Sequence, residues 1–128
     1  MSKKEVVISQ NAPGAIGPYS VGIKWGDFVF MSGQLGIDPG TGEIVEGGIQ
    51  AETKQALKNL QAILKDSGMS LDNVVKTTVF LNDINDFLKM NEVYSEFFTA
   101  DFPARSAVQV AALPKGGLVE IEAIAIAN

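Results

Sequence analysis

Hydrophobic positions recur with a helical period in one long segment of the chain, from Ile49 to Ser67. They lie three and four residues apart, which places them on one face of an α-helix, whereas Glu52 and most lysines of the segment lie on other faces. Gly68 follows where glycine commonly ends a helix. The pattern predicts an α-helix here, with a buried face formed by Ile49, Thr53, Ala56, Leu57, Leu60, Ile63 and Leu64.

A second helical pattern starts near Asp83 or Asn85, either of which can cap it, and runs to about Phe98. Its apolar face contains one amide, Asn91. A buried amide without hydrogen-bond partners costs about 1–3 kcal/mol, so Asn91 needs a partner. Spacing alone favours a cap on a neighbouring loop or strand edge; the alternative is a side chain that lines a pocket between helix and sheet. The other members of the face are Phe87, Met90, Tyr94, Phe97 and Phe98.

Segments rich in β-branched residues predict the strands of a sheet, and glycine, proline and asparagine clusters separate them. The predicted strands are residues 5–9, 19–25, 27–32, 74–81, 105–112 and 118–127. The fourth and the last are apolar enough to be central in the sheet. The order β-β-β-α-β-α-β-β predicts a single α+β domain over residues 1–128, with both helices packed on one face of a mixed sheet.

The chain contains no cysteine and no histidine. Disulfide scaffolds, thiol nucleophiles, zinc sites with Cys or His ligands and Ser-His-Asp triads are therefore excluded. If the protein is an enzyme, its acid–base chemistry depends on Glu, Asp, Tyr, Lys or bound water.

The net charge of −5 disfavours non-specific binding to nucleic acids, because the surface repels the phosphate backbone. No apolar run approaches the roughly 20 residues of a membrane-spanning helix, and residues 1–9 lack the apolar core of a signal peptide. We therefore expect a protein that does not bind membranes, and the lack of cysteine and histidine fits a cytoplasmic location.

Arg105 is the single arginine among ten basic residues, and it lies at the predicted entrance of a strand. Its planar guanidinium can bind a carboxylate through two parallel hydrogen bonds. The alternative is a structural ion pair with one of the 15 acidic residues.

Glu120 and Glu122 lie on one face of the last predicted strand, which we expect to adjoin the strand of Arg105. Two poorly solvated carboxylates on one face repel each other, which raises at least one pKa and favours general acid–base chemistry. The alternative is an exposed polar face or a pair neutralised by lysines.

Tyr19 and Ser32 lie near glycines at predicted strand ends, where a hydroxyl or a backbone N–H can contact a ligand. Ser32 lacks the G-x-S-x-G context of a serine nucleophile, and no histidine is present to activate it.

Several short motifs occur in a fixed order along almost the whole chain. They are AIGPYS at 15–20, SGQ at 32–34, DP at 38–39, GE at 42–43, VKTTVFL at 75–81, FPARS at 102–106, LP at 113–114 and EIEA at 120–123. With these motifs the sequence resembles the Rid family of reactive intermediate deaminases, also called YjgF and historically L-PSP endoribonuclease. The arginine-bearing pattern is similar to the enzymatically active RidA subgroup.

The resemblance implies a chorismate-mutase-like α+β fold and a homotrimer with its sites at subunit interfaces. It implies hydrolysis of enamine and imine acids, such as 2-aminoacrylate, 2-iminopropanoate and 2-iminobutanoate, to 2-keto acids and ammonia. Pyridoxal-phosphate enzymes release these intermediates, and the hydrolysis requires no metal and no organic cofactor.

By motif position, Arg105 would bind the substrate carboxylate and Glu120 would position or activate the attacking water. Tyr19, Ser32, Gly33 and Asn91 would line the pocket. The sequence departs from many family members at residue 107, where alanine replaces cysteine.

Two other functions stay open at this point. One is a non-catalytic trimer that binds or senses small keto acids, which would need the same arginine. The other is an endoribonuclease or translation inhibitor, an activity attributed to some relatives; the negative charge disfavours it.

Overall fold

The computed structural model describes residues 3–128, so the first two residues of the segment tested for a signal peptide lie outside the described part. It contains six strands and two α-helices in the predicted order. The strands are β1 (Glu5–Val7), β2 (Gly22–Trp25), β3 (Phe28–Leu35), β4 (Val74–Leu81), β5 (Ala104–Gln109) and β6 (Val119–Ile126). The helices are α1 (Gly48–Asp66) and α2 (Phe87–Phe97).

The six strands form one sheet in the order β1-β2-β3-β6-β4-β5. All neighbouring strands are antiparallel except β4 and β5, which run parallel. This confirms the mixed sheet and the central positions of β4 and β6. The expectation that the strands of Arg105 and Glu120 are adjacent is wrong, because β4 pairs with both β5 and β6 and lies between them.

Helix α1 buries every residue of its predicted apolar face. It ends as predicted at glycine: Gly68 has a positive φ of 76°, and the N–H groups of Gly68 and Met69 donate to carbonyls of the last turn. Two polar residues, Glu52 and Asn59, are also buried. The placement of Glu52 on an outer face is therefore wrong, because its carboxyl is bonded to the backbone of Leu118.

Helix α2 begins later than predicted, at Phe87. A 3₁₀ turn over Ile84–Asp86 precedes it, and the Asp83 side chain accepts a hydrogen bond from the backbone N–H of Asn85 within that turn. Asp83 therefore caps the turn and not the α-helix.

Strand boundaries differ most from the predictions, by three residues each, at three places. β2 begins at Gly22, so Tyr19 lies in the preceding loop and not in a strand. β3 continues to Leu35 because one extra residue forms a bulge between Met31 and Gln34, which lets pairing with β6 resume. β5 ends at Gln109.

The two faces of the sheet have different surroundings. Helix α1 packs against β3, β6 and α2, and these elements enclose the core. Its largest fully buried side chains are Leu57, Leu60, Ile63, Leu64, Leu81, Met90 and Ile121. The opposite face, here called the open face, has no helix on it in the described chain and exposes apolar side chains, namely Phe28, Phe30, Val75 and Val108. The prediction that both helices lie on one face is confirmed.

No helix within residues 3–128 is long and apolar enough to cross a membrane.

Candidate active site

The guanidinium of Arg105 is held between two aromatic rings under helix α2. Its Cζ atom lies 5.4 Å from the ring centroid of Phe87 and 4.7 Å from that of Tyr94, distances at which cation–π attraction operates. Its Nη1 donates to Oδ1 of Asn91 over 2.8 Å. No hydrogen bond found in residues 3–128 joins it to a carboxylate. Arg105 therefore has neutral partners here, and not the ion pair of the alternative interpretation.

Tyr94 is itself fixed from the opposite side. Its hydroxyl lies 2.8 Å from Oγ1 of Thr77 on β4, and its ring lies 4.7 Å from that of Phe98. Burial raises the pKa of Tyr94, so its hydroxyl stays neutral beside the guanidinium. The arginine is thus positioned by a rigid surround rather than by an opposite charge.

A pocket of about 410 Å³ lies beside this guanidinium. We call it the arginine pocket; it is lined by Asn91, Tyr94, Ser95, Phe102, Pro103 and Arg105. Asn91 therefore lines a pocket between helix and sheet, and Arg105 is the partner that this amide needed. Because a guanidinium has five N–H donors, further donors remain for an anion after the bond to Asn91.

Glu120 lies on the open face of β6, against the bulge of β3. A Cβ atom at Gly33 would lie 2.8 Å from Cδ of Glu120, a distance that real contacts do not show. Glycine at this position therefore makes room for the carboxyl. No hydrogen bond found in the described part of the chain occupies the Glu120 carboxyl.

The pKa of Glu120 is raised above its usual value. Partial burial is the main cause, and the nearby charge of Glu122 adds to it. Glu122 itself is exposed on the open face. The expectation that one carboxylate of the pair is poorly solvated thus applies to Glu120, while Glu122 fits the alternative of an exposed polar position.

A cavity of about 200 Å³ lies beside the Glu120 carboxyl. We call it the glutamate cavity; it is lined by Pro13, Gly14, Ile16, Tyr19, Gly33, Gln34, Leu35, Ile37, Pro39, Gly42, Pro114, Lys115 and Glu120. Three loops and the strands β3 and β6 supply these residues. The cavity is mainly apolar, with a carboxyl at one side and the Tyr19 ring at another.

Ser32 supports this cavity without lining it. Its Oγ donates to the carbonyl of Ser20 over 2.6 Å, and its backbone N–H donates to Val21 over 2.9 Å. These bonds fix the loop that carries Tyr19, whose side chain is 49% exposed. The hydroxyl of Ser32 is therefore engaged in holding the loop.

Arg105 and Glu120 project from opposite faces of the sheet. On β4, Arg105 is in register with Thr77 and Glu120 with Phe80. Thr77 and Phe80 are three residues apart, and side chains alternate along a strand, so they point to opposite sides. One chain thus brings Tyr19, Gly33 and Glu120 together and Asn91 and Arg105 together, but it does not join the two groups.

Comparison with known proteins identifies the family. The model of the family described as Endoribonuclease L-PSP matches residues 9–127. The chain belongs to this family. This confirms the resemblance to the Rid family that the motifs indicated.

Individual relatives of this Rid-family chain are similar over nearly its whole length. A RutC family protein of Pyrococcus horikoshii is 58% identical over 122 residues, which cover 95% of this chain and 97% of that protein. The human 2-iminobutanoate/2-iminopropanoate deaminase is 54% identical, with 96% and 90% covered. The crystal structure of E. coli TdcF with bound serine superposes with a TM-score of 0.93 at 46% identity, covering 97% of this chain and 99% of that one.

The sequence patterns of this family member did not indicate several residues of the two pockets. Gln34 lines the glutamate cavity although the bulge puts it in register with the buried Ile121, on the face of the sheet opposite Glu120. Lys115 lies at the cavity with a left-handed φ of 58°, and its Nζ donates to the carbonyl of Gly42 over 2.9 Å. The adjoining Pro114 and Gly116 predict a turn at this place, but the sequence does not show that the turn lies beside Glu120. Phe87 and Tyr94 were predicted as core, and only the packing of helix α2 against the sheet places them at Arg105.

Within residues 3–128, no group of three or more Asp or Glu side chains converges in a way that could hold a metal ion.

Proposed function

We propose that this protein hydrolyses small enamine and imine acids, such as 2-iminopropanoate and 2-iminobutanoate, to 2-keto acids and ammonia. The observation that carries the proposal is the Arg105 guanidinium, fixed by Asn91, Phe87 and Tyr94 with donors left for a carboxylate. The names of its mammalian relatives, which are 53–54% identical, support the same reaction.

In the proposed mechanism, Arg105 binds the substrate carboxylate through two parallel hydrogen bonds. This bond orients the C=N group towards a water molecule held by Glu120. TdcF binds serine, an acid that carries the same α-carboxylate. The pocket that would bind the carboxylate thus lies around Arg105, and the reacting carbon lies near Glu120.

Glu120 would act as the general base and then as the acid. Its carboxylate accepts a proton from water while the oxygen attacks the imine carbon and the C=N π electrons move to nitrogen. The carboxyl then returns the proton to nitrogen, which gives a carbinolamine. The carboxylate next transfers the proton of the new hydroxyl group to nitrogen, the O–H electrons form the C=O bond as the C–N bond breaks, and ammonia and the 2-keto acid leave. A raised pKa suits this double role, because proton transfer in both directions is easiest when the pKa approaches the working pH.

The position of the two groups supports a site shared between chains. Arg105 and Glu120 project from opposite faces of one sheet, so one copy of the chain does not place both around one substrate. A second copy can bring its arginine pocket to the glutamate cavity of the first. We therefore propose the homotrimer that the family resemblance implies, in which the apolar open face is covered by other subunits.

The remaining predicted site residues have distinct proposed roles. Tyr19 covers one side of the substrate, and its hydroxyl is a candidate donor to it. Gly33 makes room for the Glu120 carboxyl, and Asn91 orients Arg105. Ser32 acts through the loop of Tyr19.

The direct test is to generate 2-aminoacrylate or 2-aminocrotonate in situ with a pyridoxal-phosphate dehydratase and to follow keto-acid formation. We expect the protein to accelerate hydrolysis over the spontaneous rate. Equal rates with and without the protein would refute the proposal. A protein that only senses keto acids would bind them without this acceleration.

A further inference from the structure

A buried carboxyl of helix α1 is bonded to the start of strand β6. Glu52 is only 5% exposed, and its Oε1 accepts a hydrogen bond from the backbone N–H of Leu118 over 2.8 Å. Leu118 lies two residues before Glu120. On its other side, the Leu118 carbonyl accepts from the N–H of Asn82 over 3.0 Å, so this bond ties the same residue to the end of β4.

The same part of α1 also contacts the end of β3. A Cβ atom at Gly36 would lie 2.6 Å from Cα of Glu52, so the helix and this strand end approach as closely as glycine permits. About two turns further along the same face of the helix, the Nδ2 of Asn59 donates to the carbonyls of Leu35 and Ile37 over 3.1 and 2.9 Å. Helix α1 therefore holds both strands that enclose the Glu120 carboxyl, β6 through Glu52 and β3 through Asn59.

A carboxyl is an unfavourable choice for this position if stability alone is considered. Burial raises the pKa of Glu52, and the charge of Asp86 adds to this effect, although the bond from Leu118 lowers it. A buried ionisable group usually costs stability relative to an apolar side chain of similar volume. Its position beside the proposed catalytic strand suggests what the residue does instead.

We propose that Glu52 is a positioning residue for Glu120: by holding the N–H of Leu118, it fixes the start of β6 and with it the place of the Glu120 carboxyl against Gly33. This inference rests on the proposed function of Glu120. According to this inference, Glu52 must supply a hydrogen-bond acceptor for the Leu118 N–H, but its negative charge is not required.

Three substitutions at this position test the inference. Glu52→Gln keeps an acceptor at the same reach, Glu52→Asp keeps the charge but is one methylene too short, and Glu52→Met fills the space without an acceptor. Thr53→Val is the matched control, because Thr53 is buried on the same helix but bonds only to Ile49 within it. Should the Met variant fail to fold, the Asp variant answers the same question.

We expect Glu52→Gln to stay within about twofold of wild-type kcat, and Glu52→Asp and Glu52→Met to lose about 10-fold to 100-fold, since small misplacements of a catalytic group have effects of this size. KM should change little, because Arg105 is untouched. Thr53→Val should lower the unfolding temperature but keep kcat. Carbon-13 NMR of the Glu120 carboxyl should show an altered titration midpoint in the Asp and Met variants and an unaltered one in Thr53→Val.

Unchanged kcat and an unchanged Glu120 titration in both Glu52→Asp and Glu52→Met would overturn the inference. A wild-type protein without deaminase activity would instead contradict the proposed function, and the NMR titration would still decide whether Glu52 positions Glu120.

Discussion

The arginine pocket and the glutamate cavity are built in contrasting ways. The arginine pocket lies where edge strand β5 meets helix α2, and its charged group is held by aromatic rings and one amide. The glutamate cavity lies at central strands β3 and β6, where a bulge and Gly33 give the carboxyl room beside three loops. The arginine pocket positions a permanent positive charge between aromatic rings, and the glutamate cavity raises the pKa of its carboxyl by partial burial.

This difference corresponds to the two tasks of the proposed reaction. A substrate carboxylate needs a fixed fork of donors whose charge does not vary with pH, and arginine provides that. Proton transfer needs a group whose pKa is displaced towards the working pH, and the poorly solvated Glu120 provides that. Because the two regions lie on opposite faces of one sheet, we propose that each chain holds both halves of a site but no complete one.

The largest expected effect comes from the glutamate cavity. Glu120→Gln removes the proton acceptor but keeps the shape, so kcat should fall by about 10³-fold while KM changes little. Glu122→Gln, two residues along the same strand, is the matched control and should keep kcat at neutral pH. Steady-state kinetics with in situ substrate measures both; similar losses in the two variants would remove the special role of Glu120.

The arginine pocket should respond in substrate binding as well as in rate. Arg105→Lys keeps the charge but loses the paired donors, so kcat/KM should fall by about 100-fold, which corresponds to about 2.7 kcal/mol. The unfolding temperature should stay near that of the wild type. Lys89→Arg, an exposed exchange of the opposite kind on α2, should change neither quantity. Full activity of Arg105→Lys would place the carboxylate site elsewhere.

A methyl group at Gly33 should have a smaller effect. Gly33→Ala places Cβ against the Glu120 carboxyl and displaces it, so we expect kcat to fall by about 10-fold. Gly14→Ala is the control, since Gly14 lines the same cavity but a Cβ there meets nothing within 4 Å. Equal activity of the two alanine variants would show that the close packing at Gly33 is unimportant.

The smallest effect concerns pH. Glu122→Gln removes the neighbouring negative charge, so the raised pKa of Glu120 should move down towards its ordinary value. The general base is active when ionised, and the acid limb of the kcat/KM profile should therefore shift to lower pH. An acid limb that stays in place, or moves to higher pH, would show that Glu122 does not act on Glu120.

Local patterns were sufficient for much of the fold. The buried face of α1 follows from helical spacing, and the central positions of β4 and β6 follow from their apolar composition. Glu52 was missed because a charged residue is usually exposed, and only the tertiary bond to Leu118 explains its burial. That residues 1–128 form a single domain stays a prediction.

The arrangement of the candidate site was harder to predict, because it depends on pairing between strands that are distant in the sequence. Motifs identified Arg105 and Glu120, but their opposite orientations follow from the register of each strand on β4, which local sequence does not determine. The burial of Gln34 could not be predicted for a related reason, since a single bulge reverses which side chains of a strand point to the core after it.

The central claim, that each site combines the arginine of one chain with the glutamate of another, can be tested by mixing two inactive variants. Arg105→Lys and Glu120→Gln chains carrying different affinity tags are co-expressed, and mixed oligomers are isolated through both tags. In a mixed trimer one interface of three joins an intact arginine to an intact glutamate, so activity should recover to about one third of wild type. Mixed oligomers no more active than their parents would contradict the shared site.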